Sequence, residues 1–268
     1  MSLRKRTITA IFLIGPLFLI VQYAPRLVLY IFQQAFIFAA LVEFYKLAER
    51  NGLMPHRILG VILALLVSLT FYFTAVPMEV ALYAGLLLSA IYFLAYVNTA
   101  EKLPFFPGSF AITILGTVYL SFPLNYLYKA RLDFGPFYLY FFFSIIFLGD
   151  TGAMFVGKAL GRRKMTPIAS PNKTWEGSLG GFFFALCGAV LAQQVLMRSL
   201  PLWKALVTGF FVHLAAQLSD PLESLFKRAV GVKDSSNALP GHGGFLDRID
   251  SLILAGPLFY YIVRYFWK

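Results

Sequence analysis

Phe137-Tyr-Leu-Tyr-Phe-Phe-Phe-Ser-Ile-Ile-Phe-Leu-Gly-Asp150-Thr-Gly-Ala-Met-Phe-Val156 decides the architecture of this chain. All of it but Asp150 is uncharged. As a helix rising ~1.5 Å per residue it is long enough to cross the ~30 Å hydrocarbon core of a bilayer. Asp150 is the exception that carries information. A carboxylate at such depth costs at least ~2.5–3.5 kcal/mol on insertion scales, so its default reading is a functional group facing a cavity. The plainer alternative is an Asp near the membrane surface, neutralised by Lys158 or a neighbouring span.

The rest of the chain repeats the pattern. Of 268 residues, 59% are hydrophobic and 13% charged, with a mean hydropathy of +0.75, which excludes an ordinary soluble domain. The 29 Phe and 15 Tyr suit lipid-facing helices with aromatic anchors at the interface. Apolar runs predict about nine spans, near residues 8–23, 27–47, 57–76, 78–97, 108–128, 135–158, 175–197, 202–229 and 249–267. Breaks fall at Asn51-Gly52, Pro77, Pro104 to Pro107, Gly135-Pro136 and Leu200-Pro201. The expected fold class is an all-α, polytopic transmembrane helical bundle. Residues 1–130 form N-terminal helices serving as scaffold and lipid access; residues 131–268 carry the polar loops 158–174 and 230–248. Arg4-Lys5-Arg6 before an apolar run imitates a secretory signal, but Pro25 directly after Ala24 makes a poor cleavage site. A retained first span is expected. The lone Cys187 forms no intrachain disulfide.

The formal charge of +11 lies in loops beside apolar spans, which points to anionic headgroups or phosphorylated substrates rather than nucleic acid. With the N-terminus in the cytoplasm and sides alternating through nine spans, sixteen of the 23 Lys and Arg are cytoplasmic and seven lie opposite. This asymmetry predicts N-in and C-out, with both long polar loops facing the cytoplasm, where nucleotides are.

Several polar residues concentrate in the second half. Asp220-Pro221-Leu222-Glu223 has the form of a helix start, with Asp220 as cap and Pro221 in the first turn. A helix broken there would present free N–H groups to an anion. Glu223 and Lys227 are spaced as a helical ion pair, which at a surface is worth a few tenths of a kcal/mol. Asp247 and Asp250, three apart at the start of the last span, would share one helix face. Such a pair repels unless a proton or cation lies between, which suits Mg²⁺ held by few protein ligands and substrate phosphate. Ser170-Pro171-Asn172-Lys173-Thr174-Trp175-Glu176-Gly177 offers hydroxyl, amide and ammonium groups before a helix N-terminus, either a phosphate-facing edge or routine capping. Gly152 to Ala159 nearly spells a P-loop, but it lacks the closing Ser/Thr and a preceding strand. Arg162-Arg163-Lys164 reads as a topology determinant. His213 and Gln33, Gln34, Gln193, Gln194 and Gln217 read as interhelical hydrogen-bonding groups. Three His and one Cys do not point to a structural zinc site.

The run Ser224-x-Phe226-Lys227-Arg228-x4-Lys233-Asp234-x-Ser236-x2-Leu239-Pro240-x-His242-Gly243-Gly244-Phe245-x-Asp247-Arg248-Ile249-Asp250 resembles the signature of phosphatidate cytidylyltransferases, the CDP-diacylglycerol synthases. Ser170 to Gly177 resembles the same family's upstream element, as does Asp150 followed by Gly157-Lys158. The resemblance covers mainly the C-terminal half. It departs from the family at Ser219-Asp220-Pro221, where Gly-Asp-Leu is common.

The resemblance implies an integral membrane nucleotidyltransferase of phospholipid biosynthesis, one that makes CDP-diacylglycerol and pyrophosphate from CTP and phosphatidic acid. Mg²⁺ is the implied cofactor, with room for a second cation. Asp247 and Asp250, with Asp220 nearby, would hold the cation; Asp150 and Glu223 are further candidate ligands. Asp220, Lys227, Asp247 and Asp250 are the expected catalytic set. Ser170, Asn172, Lys173, Ser224, Arg228, His242 and Arg248 are expected to bind substrate, with His242 and its glycines closing a loop over the nucleotide. Phosphatidic acid would enter from the cytoplasmic leaflet of the inner membrane, and a homodimer is open. The alternatives are another CTP-dependent lipid enzyme (a polyprenol kinase or the archaeal ether-lipid cytidylyltransferase) and, from a different class, a transporter of phosphorylated solutes.

Overall fold

The apolar runs fold as helices in the computed structural model, which describes residues 15–236, 238 and 243–267. Helix α1 occupies residues 15–23. It is followed by α2 (Arg26–Arg50), α3 (Arg57–Tyr72) and α4 (Met78–Tyr96). A 3₁₀ turn at Ala100–Phe105 leads into α5 (Phe106–Gly116), which passes through a π turn at Thr117–Ser121 into α6 (Phe122–Phe134). Then come α7 (Pro136–Leu160), strands β1 (Lys164–Thr166) and β2 (Ser170–Thr174), α8 (Trp175–Leu196), α9 (Leu202–Ala229) and α10 (Leu246–Tyr261), closed by a π turn at Ile262–Phe266.

Among the described residues, six helical segments are long and apolar enough to cross a membrane: Arg26–Arg50, Met78–Tyr96, Ala100–Phe134, Pro136–Leu160, Trp175–Leu196 and Leu246–Phe266. Helix α3 is apolar but only 16 residues long. Helix α9 has the length, yet His213, Gln217, Asp220, Glu223, Lys227 and Arg228 dilute its apolar character. Two local expectations are corrected. The helix does not restart at Asp220: α9 runs through, with Pro221 in its interior, so Asp220 is no cap. The loop 158–174 is not irregular throughout, since β1 and β2 pair antiparallel across it, with Lys164 opposite Thr174 and Thr166 opposite Ser170. The sequence Gly152 to Ala159 lies within α7, which excludes a P-loop.

The core forms where α6, α7, α8, α9 and α10 converge. Phe141, Phe142, Ile145 and Ile146 of α7 are fully buried against Phe259 of α10, Ala185 and Ala189 of α8, and Val212 and Ala216 of α9. Small residues let α7 and α8 approach closely: a Cβ added at Gly188 would stand 2.7 Å from the carbonyl oxygen of Ser144.

The two ends of the bundle differ. At one end, Arg26 donates to the Tyr128 hydroxyl and to the Tyr72 carbonyl, and Arg131 donates to the carbonyls of Val21 and Gln22. These contacts tie together the ends of α1, α3 and α6 and the start of α2. At the other end, the β hairpin meets the last turn of α9, where Arg228 Nε donates to the Ala169 carbonyl at 3.2 Å. Both long polar loops therefore lie at one end of the bundle.

Candidate active site

Thr174 begins the site. Its hydroxyl accepts from Gly177 N at 3.1 Å and so caps α8, and the Glu176 carboxylate accepts from the backbone N–H groups of Arg162 and Arg163 at 3.0 and 3.2 Å. These bonds fix the hairpin against the start of α8. The hairpin in turn aims Lys173 at α9, where its Nζ stands 2.8 Å from Asp220 Oδ2. Ser224, one turn further along α9, donates to Asp220 Oδ1 at 3.4 Å.

A second ion cluster lies beside the first. Lys227 Nζ stands 2.5 Å from Glu223 Oε2 and 2.6 Å from Asp247 Oδ1. All three groups are buried, and Glu223 is fully so. The Asp247 carboxylate has further donors: the Ser235 backbone N–H and hydroxyl, each at 2.9 Å, and Gly244 N at 2.8 Å, all on Oδ2. Oδ2 is thus saturated, and only Oδ1 keeps acceptor capacity. Asp250, one turn on, has no ion-pair partner among the described residues. Its Oδ1 accepts from Ser251 N at 2.6 Å and its carbonyl from the Ser219 hydroxyl.

These groups converge on a single cavity of about 1140 Å³. Asp150, Ser170, Asn172, Lys173, Asp220 and Ser224 line it, as do Lys227, Arg228, Asp247, Arg248 and Asp250. Eleven expected site residues, from four separate stretches of sequence, are brought together. Glu223 does not line the cavity; it stands behind Lys227 with Oε1 unpartnered, so its placement suits orienting the lysine rather than touching a ligand. His242 lies outside the described residues.

The cavity has two characters. Its polar end adds Lys158, Lys164, Lys233 and Asp234, giving seven cationic side chains against five carboxylates. Its other wall is apolar: Leu17 of α1, Phe32 and Phe36 of α2, Leu124 and Leu127 of α6, and Phe143 and Phe147 of α7. An anion with a long apolar tail fits such a shape, its charge in the basin and its tail among the helices.

The geometry also brings in residues that sequence reading passed over. Glu43 is buried in α2 and accepts from the hydroxyls of Ser235 and Ser236 and from the backbone of Phe245 and Leu246. The logic applied to Asp150, a lone carboxylate inside an apolar run, would have found it. Lys164, a topology determinant by its place in the sequence, lines the cavity, because β1 places it across from Thr174. Gln217 and His213 do make an interhelical network, with Ser178 donating to Gln217 Oε1 at 2.5 Å and Gln217 Nε2 lying 2.8 Å from His213 Nε2. Both Gln217 and Ser178 also reach the cavity.

Among the described residues no three His, Cys, Asp or Glu side chains form a ready-made metal cage. Asp220 nevertheless lies within electrostatic reach of both Asp150 and Asp250. Asp250 has spare acceptor capacity, and the donor set is hard oxygen only. Mg²⁺ is commonly held by one or two carboxylates, with waters and substrate phosphates completing its octahedron. The donors present fit an ion shared with substrate.

The chain matches the model of the cytidylyltransferase family over residues 4–266. It is 40% identical over 191 residues to the phosphatidate cytidylyltransferase of Bacillus subtilis, a match covering 70% of this chain and 69% of that protein. It is 32% identical over 256 residues to that of Staphylococcus saprophyticus and 33% identical over 259 residues to that of Staphylococcus epidermidis, each match covering 96% of this chain and 97% of the relative.

Proposed function

The chain belongs to the cytidylyltransferase family, and from that premise we infer that it is an integral membrane phosphatidate cytidylyltransferase. It joins CTP to phosphatidate and releases CDP-diacylglycerol and pyrophosphate. The single observation that supports this reading best is the two-sided cavity, a cationic basin with carboxylates continuous with an apolar wall between helices.

The reaction sets the demands. An oxygen of the lipid phosphate attacks the α-phosphorus of CTP, the bond to the β-phosphate breaks, and pyrophosphate leaves with that electron pair. A phosphate monoester is already a nucleophile near neutral pH, so no activating Ser–His or Cys–His pair is needed. What is needed is alignment of two polyanions and stabilisation of charge on the α-phosphate and the leaving group. Lys173, Lys227, Arg228 and Arg248 supply fixed positive charge in the basin. Asp220 holds the Lys173 ammonium in place, and Glu223 with Asp247 holds that of Lys227. Ser170, Asn172 and Ser224 offer neutral hydrogen bonds to phosphate or ribose. Asp250 and Asp220, with Asp150 and Asp247 as further candidate ligands, would hold Mg²⁺, which neutralises phosphate oxygens when bound.

The N-terminus faces the cytoplasm and the chain crosses nine times, the six long apolar segments being joined by α3, α9 and the first span that ends in α1. The excess of Lys and Arg at the cavity end supports this orientation. CTP enters from the cytoplasm, and phosphatidate slides in from the adjoining leaflet along the apolar wall.

The test is incubation of purified protein with radiolabelled CTP, phosphatidate and Mg²⁺. Cytidylate on the lipid, abolished by EDTA and restored by Mg²⁺, is the expected result. Phosphate alone on the lipid would assign a kinase instead, and solute flux without turnover a transporter.

A further inference from the structure

Helix α10 carries Asp247 and Asp250, yet it begins without a capping side chain of its own. Its N-cap position is Phe245, which offers no acceptor. The first N–H groups of a helix have no partner within it and must find one elsewhere when buried. Here the partner comes from the far side of the sequence. Glu43 of α2, only 5% exposed, accepts from Phe245 N at 3.1 Å and from Leu246 N at 2.8 Å. A carboxylate at that end also meets the positive pole of the helix dipole.

The same carboxylate holds the other end of the preceding loop. The Ser236 hydroxyl donates to Glu43 Oε1 at 2.6 Å, and the Ser235 hydroxyl lies 2.9 Å from Glu43 Oε2. Ser235 Oγ is also 2.9 Å from Asp247 Oδ2. A hydroxyl has one proton, so Ser235 serves one carboxylate at a time and links the two. The glycine pair belongs to this arrangement. Gly243 has φ +83°, which favours glycine, and a methyl group at Gly244 would collide with both Ser235 Oγ and Glu43 Oε2.

We propose that Glu43 is a positioning residue for cytidylyl transfer: from α2 it caps α10 and pins both ends of the segment between Ser235 and Leu246, so that Asp247 and Asp250 face the cavity. The N-terminal half of the chain is then part of the catalytic geometry and more than a lipid-access scaffold. This role rests on the nucleotidyltransferase reading, and its test separates the two.

The experiment compares purified full-length protein with Glu43→Gln, Glu43→Asp and Ser236→Ala, and uses Glu49→Gln as the control for losing a carboxylate from α2 at its surface pair with Arg57. Steady-state turnover of CTP and phosphatidate is measured beside hydrogen exchange of the Phe245 and Leu246 amides. Gln keeps the shape but turns an NH₂ group toward backbone donors. Glu43→Gln is expected to lower kcat roughly 10–100-fold, the range for groups that hold catalytic ligands in place, with KM for phosphatidate unchanged. Exchange at Phe245 and Leu246 accelerates while α8 keeps its protection, and Glu43→Asp recovers most of kcat. Wild-type kcat with unchanged exchange overturns the proposal. So does a loss that speeds exchange throughout and is not rescued by Asp, because it marks a purely structural role. Should Glu43→Gln fail to fold, Ser236→Ala carries the test, with a smaller fall in kcat and faster exchange at the same two amides expected and wild-type values overturning it. If the unsubstituted protein transfers no cytidylate, the functional reading fails, while the exchange data still decide whether Glu43 caps α10.

Discussion

Lys173 and Asp220 meet across the cavity, Nζ to Oδ2 at 2.8 Å, and in doing so join the β hairpin to the middle of α9. The pair is partly open, with side chains 28% and 34% exposed. Solvent screening limits such a pair to about 0–1 kcal/mol of stability. Its placement serves the basin more than the fold.

Lys173→Met should therefore separate activity from stability. The melting temperature in detergent is expected to stay close to that of the parent, since no more than about 1 kcal/mol is lost. Under the proposed role of Lys173 in binding phosphate, removing its charge should cost roughly 10²-fold in kcat/KM for CTP. Parallel thermal melts and steady-state kinetics measure both. A variant with parental kcat/KM removes Lys173 from the substrate-binding set.

Asp247 and Asp250 share a helix face but should behave differently as Asn. Asp247 belongs to a buried cluster with Lys227 and Glu223 and accepts two backbone N–H groups. Breaking such a buried pair costs about 3–5 kcal/mol, so Asp247→Asn loses both stability and turnover. Asp250 has acidic neighbours, Asp220 and Glu223, within electrostatic range. Removing its charge relieves repulsion. Asp250→Asn should then melt at or above the parental temperature while losing transfer at saturating Mg²⁺. Near-normal transfer in either variant would end its assignment to the catalytic set.

Lys164 is a phosphate-binding candidate that its loop position alone did not suggest. It is exposed at the cavity wall and makes no ion pair among the described residues. Lys164→Ala should raise KM for CTP by roughly fivefold, the equivalent of about 1 kcal/mol for a screened charge, with kcat little changed. An unchanged KM would return this residue to topology.

The apolar wall should govern the lipid and not the nucleotide. Phe147 lines the cavity from α7 and stacks on Phe143. At ~25 cal/mol per Å² of apolar contact removed, Phe147→Ala should raise KM for long-chain phosphatidate roughly fivefold or more. A short-chain analogue should feel little of this, and KM for CTP none. Equal effects on both substrates would remove the wall from the lipid path.

The period and length of the apolar runs were enough to read a multi-helix membrane protein, because a bilayer forces every backbone polar group into internal hydrogen bonds. Charged residues inside those runs, such as Asp150 and Asp220, were legible as candidates because charge is costly in lipid; together with polar groups of the flanking loops, eleven expected residues line one cavity. What the sequence could not supply was the company each residue keeps. Asp220-Pro221 has the local chemistry of a helix start, yet α9 passes through it, because packing against α8 and α10 outweighs one missing N–H. Glu223 looks like a ligand by residue type but is turned behind Lys227. Glu43, far away in the chain, turned out to cap α10. Propensity and hydropathy act over a few neighbouring residues, whereas hydrogen bonds such as those of Glu43 to Ser236 and Leu246 span most of the chain and exist only once the helices have packed.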